Sequence, residues 1–502
     1  MSVYQTTLDA LQKIDYQLTL PLQLIINGQS LQCDKLLRIV PKKRMVFQGK
    51  WANETVIIKL FLHPKRAKKH CSREASGAKL LDSKHILSPE LVAQGLSDEG
   101  IYYLIFRYIN GQNLAQFWSK NSQEKRFNIL KKLMFVLAQH HRSGLVHQDL
   151  HYANFFLADN DSIYTLDGEE VRVISDSALN KKDRLTNLAL FLAQTFDVTE
   201  NVSYLLLDYY ASLSALNISK TDQKQFFLSI KDQQKKRIEH YLKKILRDCT
   251  DVSYQKTPQG YTLCRREQHN SDIQQFLEQP DIFFQDKNSR YLKQGNTCTV
   301  KSILIANKRY AVKRYNPKGI MYELLHKGQF SRAKKSWLNA HLLGFMGIAT
   351  PEPIALIEHA PSLGQRCSYF MSAYIEGQSS WDFFCEKAVC EQDETAPLDS
   401  TKLDNTKQVI ADKLVATLAK LCDYQITHGD LKGSNFLVSE NKLWVLDLDA
   451  MTQHNSQQQF MKYWQKDKHR FLQNWYKKDC YLPWQGYFNQ AIEQMSKLIP
   501  CK

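Results

Sequence analysis

The stretch ITHGDLKGSNFL at residues 426–437 has a counterpart in the first half of the chain, LVHQDLHYANFFL at residues 145–157. Both contain the pattern His-x-Asp-x-x-x-x-Asn. Each is followed by a short polar turn and an apolar run that ends in aspartate, IYTLD to Asp167 and LWVLD to Asp447. A repeated segment of this length indicates that the chain contains two related domains.

Further matched segments precede each copy of this pattern, in the same order. A lysine lies within an apolar strand-like run in each half, VIIKLFL around Lys59 and YAVKRYN around Lys313. Downstream of the lysines, FRYINGQNLAQFW (106–118) matches SAYIEGQSSWDFF (372–384). The offset between the copies grows from 254 residues at the lysines to 281 at the aspartates of the His-x-Asp pattern. This order predicts a duplication of one large domain rather than a short-period solenoid, with insertions in the second copy.

Each copy is predicted to have an α+β fold that begins with strands and ends with helices. Stretches rich in Val, Ile, Tyr and Phe, such as residues 45–62, have the composition of strands. Helical patterns follow and surround the His-x-Asp loop. An amphipathic helix at 232–248 closes the first copy, and its apolar stripe favours packing on protein over membrane contact. The predicted bounds are residues 1–248 for the first domain, 249–285 for a polar linker and 286–502 for the second domain.

The repeated residues are those that phosphoryl transfer requires. A carboxylate accepts the proton of the attacking hydroxyl, and an amide oxygen with a second carboxylate holds Mg²⁺ on the transferring phosphates. A lysine on a preceding strand neutralises the α- and β-phosphates of ATP, and Lys59 and Lys313 have this position. The carboxylate–amide–carboxylate set occurs twice, as Asp149, Asn154 and Asp167 and as Asp430, Asn435 and Asp447. The sequence therefore predicts a kinase whose catalytic aspartates are Asp149 and Asp430.

These motifs resemble the protein-kinase-like fold, which implies two tandem domains, each with a β-rich N-lobe and a mostly helical C-lobe. The segments YAVKRYN, SRAKKSWLNAHLLGFMGIATPEPIALIE (331–358) and SYFMSAYIEGQ look like the bacterial lipopolysaccharide core sugar kinases of the Kdo and heptose type. The resemblance covers most of residues 290–450 and is fainter over residues 45–195. It implies ATP-dependent phosphorylation of a sugar hydroxyl on a lipopolysaccharide precursor, at the inner face of the cytoplasmic membrane.

The two copies depart from the kinase pattern to different degrees. Neither has a G-x-G-x-x-G loop before its lysine. A kinase site also needs a helix glutamate that orients the strand lysine. Glu74 takes this place for Lys59, whereas the same alignment puts Ser336 there in the second copy, with Glu323 as the only acidic substitute nearby. The first copy is therefore predicted to have the complete pair, and the second to be divergent or a different catalyst.

Composition and charge favour a cytoplasmic protein with anionic partners. Hydrophobic residues make up 43% and charged residues 24%, which excludes a disordered or collagen-like chain. The net charge of +16 is shared by both halves and fits phosphate-bearing partners such as ATP, an anionic glycolipid or the inner membrane surface. Eleven scattered cysteines favour free thiols in a reducing compartment. The chain shows neither a signal peptide nor a run of roughly 18 apolar residues, so any membrane contact is expected to be peripheral.

Several alternatives stay open on the sequence. The first alternative is that one copy, with the second favoured, is a pseudokinase with a regulatory or binding role. The second alternative is that the acceptor is a protein Ser/Thr or a small molecule, although neither copy has the Ala-Pro-Glu segment of protein kinases after its metal aspartate. Nucleic acid is not an expected partner, because no zinc knuckle, helix-turn-helix or RNP-like signature accompanies the basic charge. His147 and His428 are expected to brace their loops rather than to bind metal.

Overall fold

The computed structural model divides the chain into two units, Met1–Arg237 and Ile238–Lys502. It describes residues 7–14, 18–26, 28–316, 330–359, 367–385, 405–476 and 482–498. Each unit has an antiparallel sheet followed by a mainly helical part, so the predicted α+β class is confirmed.

Strands dominate the first part of the first unit and helices the second part. Its described strands are β1 (Leu22–Ile26), β2 (Gln29–Val40), β3 (Arg44–Trp51), β4 (Glu54–Phe61), β5 (Leu91–Leu96), β6 (Tyr102–Arg107), β7 (Gly111–Asn113), β8 (Leu145–His147), β9 (Phe155–Ala158), β10 (Ile163–Thr165) and β11 (Val171–Val173). Its described helices are α1 (Leu8–Lys13), α2 (Ala67–Ser83), α3 (Leu114–Lys120), α4 (Gln123–Arg142), α5 (Lys181–Leu192), α6 (Glu200–Ser214) and α7 (Lys220–Lys244), in which the division between the units falls.

The sheet of the first unit has the strand order β1-β2-β3-β4-β6-β5. On β4, Val56, Ile58 and Leu60 are buried in the core on one face. Successive side chains of a strand point to opposite faces, so Lys59 shares the other face with Phe61. Phe61 packs with Cys71 and other residues of α2, which places the lysine on the helix side of the sheet.

The helical part of the first unit is built on α4. Leu130, Leu133 and Leu137 recur at helical spacing and are buried, as expected of one apolar face. They share a core with Phe191 of α5 and with Phe155 at the start of β9. Because β9 follows the His-x-Asp loop directly, this core holds the C-terminal end of the loop in place.

The second unit has the same general order of elements. Its described strands are β12 (Val252–Thr257), β13 (Gly260–Arg265), β14 (Arg290–Gly295), β15 (Cys298–Ile305), β16 (Lys308–Tyr315), β17 (Pro353–His359), β18 (Ser368–Ala373), β19 (Gln378–Ser379), β20 (Ile426–Thr427), β21 (Phe436–Ser439), β22 (Lys442–Val445) and β23 (Thr452–Gln453). Its described helices after α7 are α8 (Ser271–Glu278), α9 (Pro280–Gln285), α10 (Arg332–Phe345), α11 (Ser380–Cys385), α12 (Asn405–Asp423), α13 (Gln457–Asn474) and α14 (Leu482–Leu498).

Five strands of the second sheet repeat the order found in the first. The full order is β12-β13-β17-β18-β16-β15-β14, in which β14-β15-β16-β18-β17 corresponds to β2-β3-β4-β6-β5. Lys313 lies opposite Val300 on β15 and Phe370 on β18, as Lys59 lies opposite residues of β3 and β6. The two strand lysines therefore have the same register in their sheets.

Residues 249–285 differ from the predicted linker. They form the hairpin β12–β13, whose second strand pairs with β17 so that Leu263 lies opposite Leu356. The helices α8 and α9 follow, and Phe276 is fully buried. Two six-residue strands with few apolar side chains are too short for hydrophobic periodicity to distinguish them from a polar loop. This stretch is therefore part of the second unit, and the division falls earlier, at Arg237.

The C-terminal end of α7 packs on protein, in agreement with the favoured interpretation of the helix at 232–248. The ring of Tyr241 stacks on Phe345 of α10 with centroids 4.4 Å apart, and the Tyr241 hydroxyl lies 2.9 Å from His341 Nδ1. Ile238 and Ile245 are buried. Its apolar stripe is therefore used, at this end, in the core of the second unit.

Two further findings concern membrane-spanning helices and cysteines. In the part of the chain that the structure describes, no helix is both long and apolar enough to cross a membrane. Seven of the described cysteines are free, but Cys385 is disulfide-bonded, so the expectation of free thiols does not hold at that position.

Candidate active sites

The two His-x-Asp loops have the same internal hydrogen bonds. Asn154 Nδ2 donates to the backbone oxygen of Asp149 at 2.8 Å, and Asn435 Nδ2 donates to that of Asp430 at 2.8 Å. The residue before each strand-end aspartate donates its backbone N–H to the asparagine backbone oxygen, at 2.7 Å in the first unit and 2.8 Å in the second. Because each asparagine uses its amide nitrogen in the loop, its amide oxygen is the atom available to a cation.

The strand-end aspartates have a left-handed backbone, with φ of 52° at Asp167 and 58° at Asp447. Aspartate adopts this conformation more readily than most residues. The turn brings a second acidic residue, Glu169 or Asp449, to the same place as the aspartate. The sequence analysis did not single out this second acid, although its position two residues after the aspartate is the same in both copies.

In the first unit, Lys59 forms an ion pair with Glu74 of α2. Arg44 of β3 contacts the other Glu74 oxygen at 3.1 Å through one guanidinium nitrogen, and lies 3.9 Å from Asp167 through another. Burial disfavours the charged form of Asp167, but the positive charges of Lys59 and Arg44 outweigh it and lower the pKa of this carboxyl. The structure therefore brings Lys59, Glu74 and Asp167 together, with Arg44 as a partner that the sequence did not reveal.

Asp167 of the first unit is placed to hold a divalent cation. Glu74, Asp167 and Glu169 each have a carboxylate oxygen within 4.8 Å of the other two, although both oxygens of Glu74 are already paired, with Lys59 and Arg44. Carboxylate oxygens are the ligands that Mg²⁺ prefers, usually one or two from the protein with phosphate oxygens completing the shell. Since Lys59 is paired with Glu74, the ion pair of Asp167 in the described structure is the long contact to Arg44. Asp167 is therefore free to exchange this weak contact for a metal ion.

The second unit pairs the corresponding lysine differently. Lys313 Nζ lies 2.5 Å from Asp447 Oδ1 and 2.9 Å from Asp449 Oδ2. Lys293 of β14 lies 3.3 Å from Asp447 Oδ2, and Arg332 of α10 lies 2.8 Å from Asp449 Oδ2. Burial disfavours the charged form of Asp447, but Lys313 and then Lys293 outweigh it and hold its pKa well below the ordinary range.

This arrangement does not fit a divalent cation. Both oxygens of Asp447 already contact ammonium groups, and one oxygen of Asp449 is shared between an ammonium and a guanidinium group. A metal ion would have to displace these cations and would then lie beside them. Within the described residues, the three-acid cluster found in the first unit has no counterpart here.

The partner of the lysine in the first unit is replaced by neutral side chains in the second. Ser336, at the position aligned with Glu74, shares a hydrogen bond of 2.7 Å with the hydroxyl of Tyr315. The β15–β16 register places Cys298 opposite Tyr315, where the first unit has Arg44 opposite Phe61. The proposed substitute, Glu323, lies outside the described residues. Among the described residues, the second unit therefore has neither a counterpart of Glu74 nor a counterpart of Arg44, which contacts Glu74 in the first unit.

The two aspartates that the sequence predicts to be catalytic also have different surroundings. Asp149, whose side chain is 64% exposed, lies 3.3 Å from His151 Nε2. Asp430 is only 23% exposed, and lies 2.9 Å from Lys432 and 2.8 Å from Arg470. The hydrogen bond from His151 lowers the pKa of Asp149, and Lys432 lowers that of Asp430 against the opposing effect of burial. Asp149 is therefore both ionised and accessible to an acceptor hydroxyl, whereas Asp430 is held by two cations.

A helix behind each loop braces its backbone. Asp467 of α13 accepts hydrogen bonds through Oδ2 from the backbone N–H groups of His428 at 2.7 Å and Gly429 at 3.0 Å. In the first unit, Asn187 of α5 donates to the backbone oxygen of His147 at 3.1 Å. The sequence analysis missed Asp467, although its spacing from the loop histidine nearly equals that of Asn187. The signal in the sequence is this common spacing from the loop histidine, which lies outside the His-x-Asp motif itself.

Comparison with known proteins supports a kinase-like domain. The family model described as "RIO1: RIO domain" matches residues 387–483, which include Asp430, Asn435 and Asp447. The RIO domain is an atypical protein kinase family, so the match supports ATP binding and phosphotransferase chemistry in general. No curated protein matches the chain in sequence.

Two solved structures of WbdD resemble part of the chain. A co-crystal structure of WbdD and a kinase inhibitor has a TM-score of 0.30 and 16% identity, covering 43% of this chain and 47% of that chain. A high-resolution crystal structure of WbdD has a TM-score of 0.30 and 14% identity, covering 41% of this chain and 52% of that chain. The chain thus spans about half the length of these WbdD chains.

Proposed function

We propose that the first unit phosphorylates a sugar hydroxyl of a lipopolysaccharide precursor or related glycolipid, using ATP and Mg²⁺. The observation that carries the kinase part of this proposal is the ion pair between Lys59 and Glu74 beside Asp167. The buried Glu74 carboxylate fixes the lysine, and Asp167 and Glu169 each have a carboxylate oxygen close enough to it to hold a metal ion.

Each side chain of the first unit then has a defined task. MgATP, when bound, supplies the phosphoryl group and the charge that stabilises its transfer. Lys59, oriented by Glu74, contacts the α- and β-phosphates, while Asn154 and Asp167 hold the metal. Asp149 accepts the proton of the sugar hydroxyl, since it is exposed and its lowered pKa keeps the carboxylate ionised. Most of the rate increase comes from positioning and charge neutralisation, because the protein forms no covalent intermediate.

The nature of the acceptor rests on sequence. The segments of residues 290–450 resemble the lipopolysaccharide core sugar kinases, and an Ala-Pro-Glu segment is missing after both metal aspartates. If the two units arose by duplication, which their common strand order supports, the acceptor class applies to both copies. The net charge of +16 favours an anionic acceptor, presented at the inner face of the cytoplasmic membrane to a peripheral protein.

A second candidate role concerns the second unit, which we propose to be a pseudokinase that binds or regulates. Two observations favour it: Ser336 is bonded to Tyr315 instead of to the lysine, and Lys313 contacts both carboxylates that a metal would need. In this case the second copy resembles the sugar kinases more closely in sequence because it has retained their fold, and not because it has retained phosphoryl transfer.

The test compares Asp149→Asn with Asp430→Asn in the full chain, expressed in a strain that lacks the wild-type gene. Mass spectrometry of the lipopolysaccharide core should show loss of about 80 Da, one phosphoryl group, in the strain without the gene. Asp149→Asn should fail to restore this mass, and Asp430→Asn should restore it. An unchanged core in the deletion strain would contradict the sugar acceptor. Restoration by Asp149→Asn would contradict its role as the base.

A further inference from the structure

Three basic side chains surround the two acidic residues at the lysine of the second unit. They come from three different elements: Lys293 from β14, Lys313 from β16, and Arg332 from the first turn of α10. Each of them contacts Asp447, Asp449 or both. The three basic side chains carry a formal charge of three, which exceeds the two negative charges of the aspartates. The cluster therefore retains a positive charge when all its members are ionised.

The position of Arg332 adds to this charge. It is the first residue of α10, whose N-cap Ser331 accepts a hydrogen bond from the backbone N–H of Lys334. A helix N-terminus carries a partial positive charge and attracts anions within its first turn. Arg332 also donates to Thr297 Oγ1 at 3.2 Å, in the turn between β14 and β15. The guanidinium is thus fixed between the sheet turn and the acidic loop.

The contrast with the first unit defines the kind of ligand. There the helix α2 supplies an acid, Glu74, and the strand lysine is taken up by it. Here the aligned helix supplies Arg332 and the neutral Ser336, and the lysine lies on the acids of the loop. An incoming phosphate chain would compete with Asp447 and Asp449 for these three cations. Charge-assisted contacts from lysine and bidentate contacts from arginine are the strong phosphate contacts of proteins.

We propose that the second unit binds the polyphosphate chain of a nucleotide through Lys293, Lys313 and Arg332, without a divalent cation. The inference rests on the non-catalytic role proposed for the second unit. Both units would thus bind a nucleotide, the first with Mg²⁺ and the second without it. The cations replace, for charge neutralisation, the magnesium ion that the carboxylates of this unit cannot take up.

The experiment uses the full chain with Lys59→Met, which removes the phosphate lysine of the first unit. Isothermal titration with ATP in the presence of EDTA should show one binding event per chain. Added Mg²⁺ should leave its affinity unchanged or weaken it. In this background, Lys313→Met and Arg332→Gln should each weaken binding on the order of tenfold or more, the effect of losing one charge-assisted hydrogen bond. Lys293→Gln should also weaken binding, and because the Lys293 side chain is exposed, this substitution should not disturb folding.

The matched control is Lys308→Gln, at the other end of β16, where the lysine contacts Gln268 and should not affect binding. Asp447→Asn gives the sharpest distinction, because it removes the residue that the sequence predicts to be a metal ligand and also a competitor for the two lysines. Metal-free binding should then persist or become tighter. Inorganic tripolyphosphate should compete with ATP if the three cations supply the affinity.

Three results would overturn the inference: binding that requires Mg²⁺, binding abolished by Asp447→Asn, or tripolyphosphate that fails to compete. Each variant is first checked for a wild-type thermal unfolding transition. The outcome is separable from that of the proposed function, since transfer is measured with Lys59 intact. If the protein with Lys59 intact shows no phosphoryl transfer but ATP binding in EDTA is present, only the kinase proposal is contradicted. If transfer is present but ATP does not bind in EDTA, only this inference is contradicted.

Discussion

The carboxylate of Glu74 is almost completely buried, with 1% of its side chain exposed, and it forms an ion pair with Lys59. A buried ion pair that loses one partner leaves an uncompensated charge, at a cost of roughly 3–5 kcal/mol. Glu74→Gln should therefore lower the free energy of unfolding of the first unit by a few kcal/mol. It should also slow phosphoryl transfer about a hundredfold, because Lys59 is no longer held at the phosphates.

Glu54→Gln on the neighbouring β4 is the matched control for this change. Glu54 forms its ion pair with Arg107 at 3.2 Å, but its side chain is 60% exposed. Exposed pairs contribute less than about 1 kcal/mol, so the control should retain both stability and activity. Both quantities are measured by urea denaturation and by transfer of labelled phosphate from ATP. Equal effects of the two substitutions would show that burial of the pair is irrelevant.

The parts of the sites that sequence could predict are those carried by residues close together in the chain. Asp149 and Asn154 belong to one loop, so their hydrogen bond follows from the motif itself. Arg44 was not predictable, because its contact with Glu74 depends on the β3–β4 register and on the placement of α2. The pairing of Arg332 with Asp449 likewise joins a helix start to a loop more than a hundred residues later. Long-range ion pairs leave no periodic pattern in the sequence.

The acidity of Asp447 gives the second unit a defined pH response. Its pKa in the folded state lies below the ordinary value of 3.8, because Lys313 and Lys293 outweigh the effect of burial. A lowered carboxyl pKa adds stability that is complete above the ordinary value and is lost as the pH falls below it. The stability difference between wild type and Asp447→Asn should thus be larger near neutral pH than at about pH 3. Urea denaturation at both pH values measures it.

Lys313→Met provides an independent check of that response. Without this ammonium group, the largest influence that lowers the pKa of Asp447 is gone. Burial then favours the neutral carboxyl, and the acid-dependent loss of stability should begin at higher pH than in the wild type. A wild-type pH profile in this variant would contradict the assignment of the lowered pKa to the lysine.

The brace on the first His-x-Asp loop should matter for the rate rather than for nucleotide affinity. Asn187 donates to the backbone oxygen of His147, and its side-chain oxygen accepts a hydrogen bond of 3.1 Å from His141 Nε2, both in the interior. Asn187→Ala leaves a buried carbonyl without this donor, which costs about 1–3 kcal/mol. The loop that carries Asp149 should then be less well positioned, so kcat should fall while the KM for ATP changes little. Thr186→Ala, at an exposed position of the same helix, is the control. A rise in KM with unchanged kcat would contradict a positioning role.

In the first unit, α2 packs tightly against the turn after Asp167. A Cβ atom on Gly77 would lie 1.9 Å from the backbone oxygen of Gly168, so the helix could not keep its present distance. Gly77→Ala should therefore push α2 away, with Glu74 on it, and reduce both stability and phosphoryl transfer. Gly344→Ala on α10 is the matched control, since nothing lies within 4 Å of its added Cβ. That change should leave transfer intact and stabilise its helix by up to about 1 kcal/mol. Thermal unfolding and transfer rates measure both variants, and a Gly77→Ala protein with wild-type transfer would show that the site does not depend on this contact.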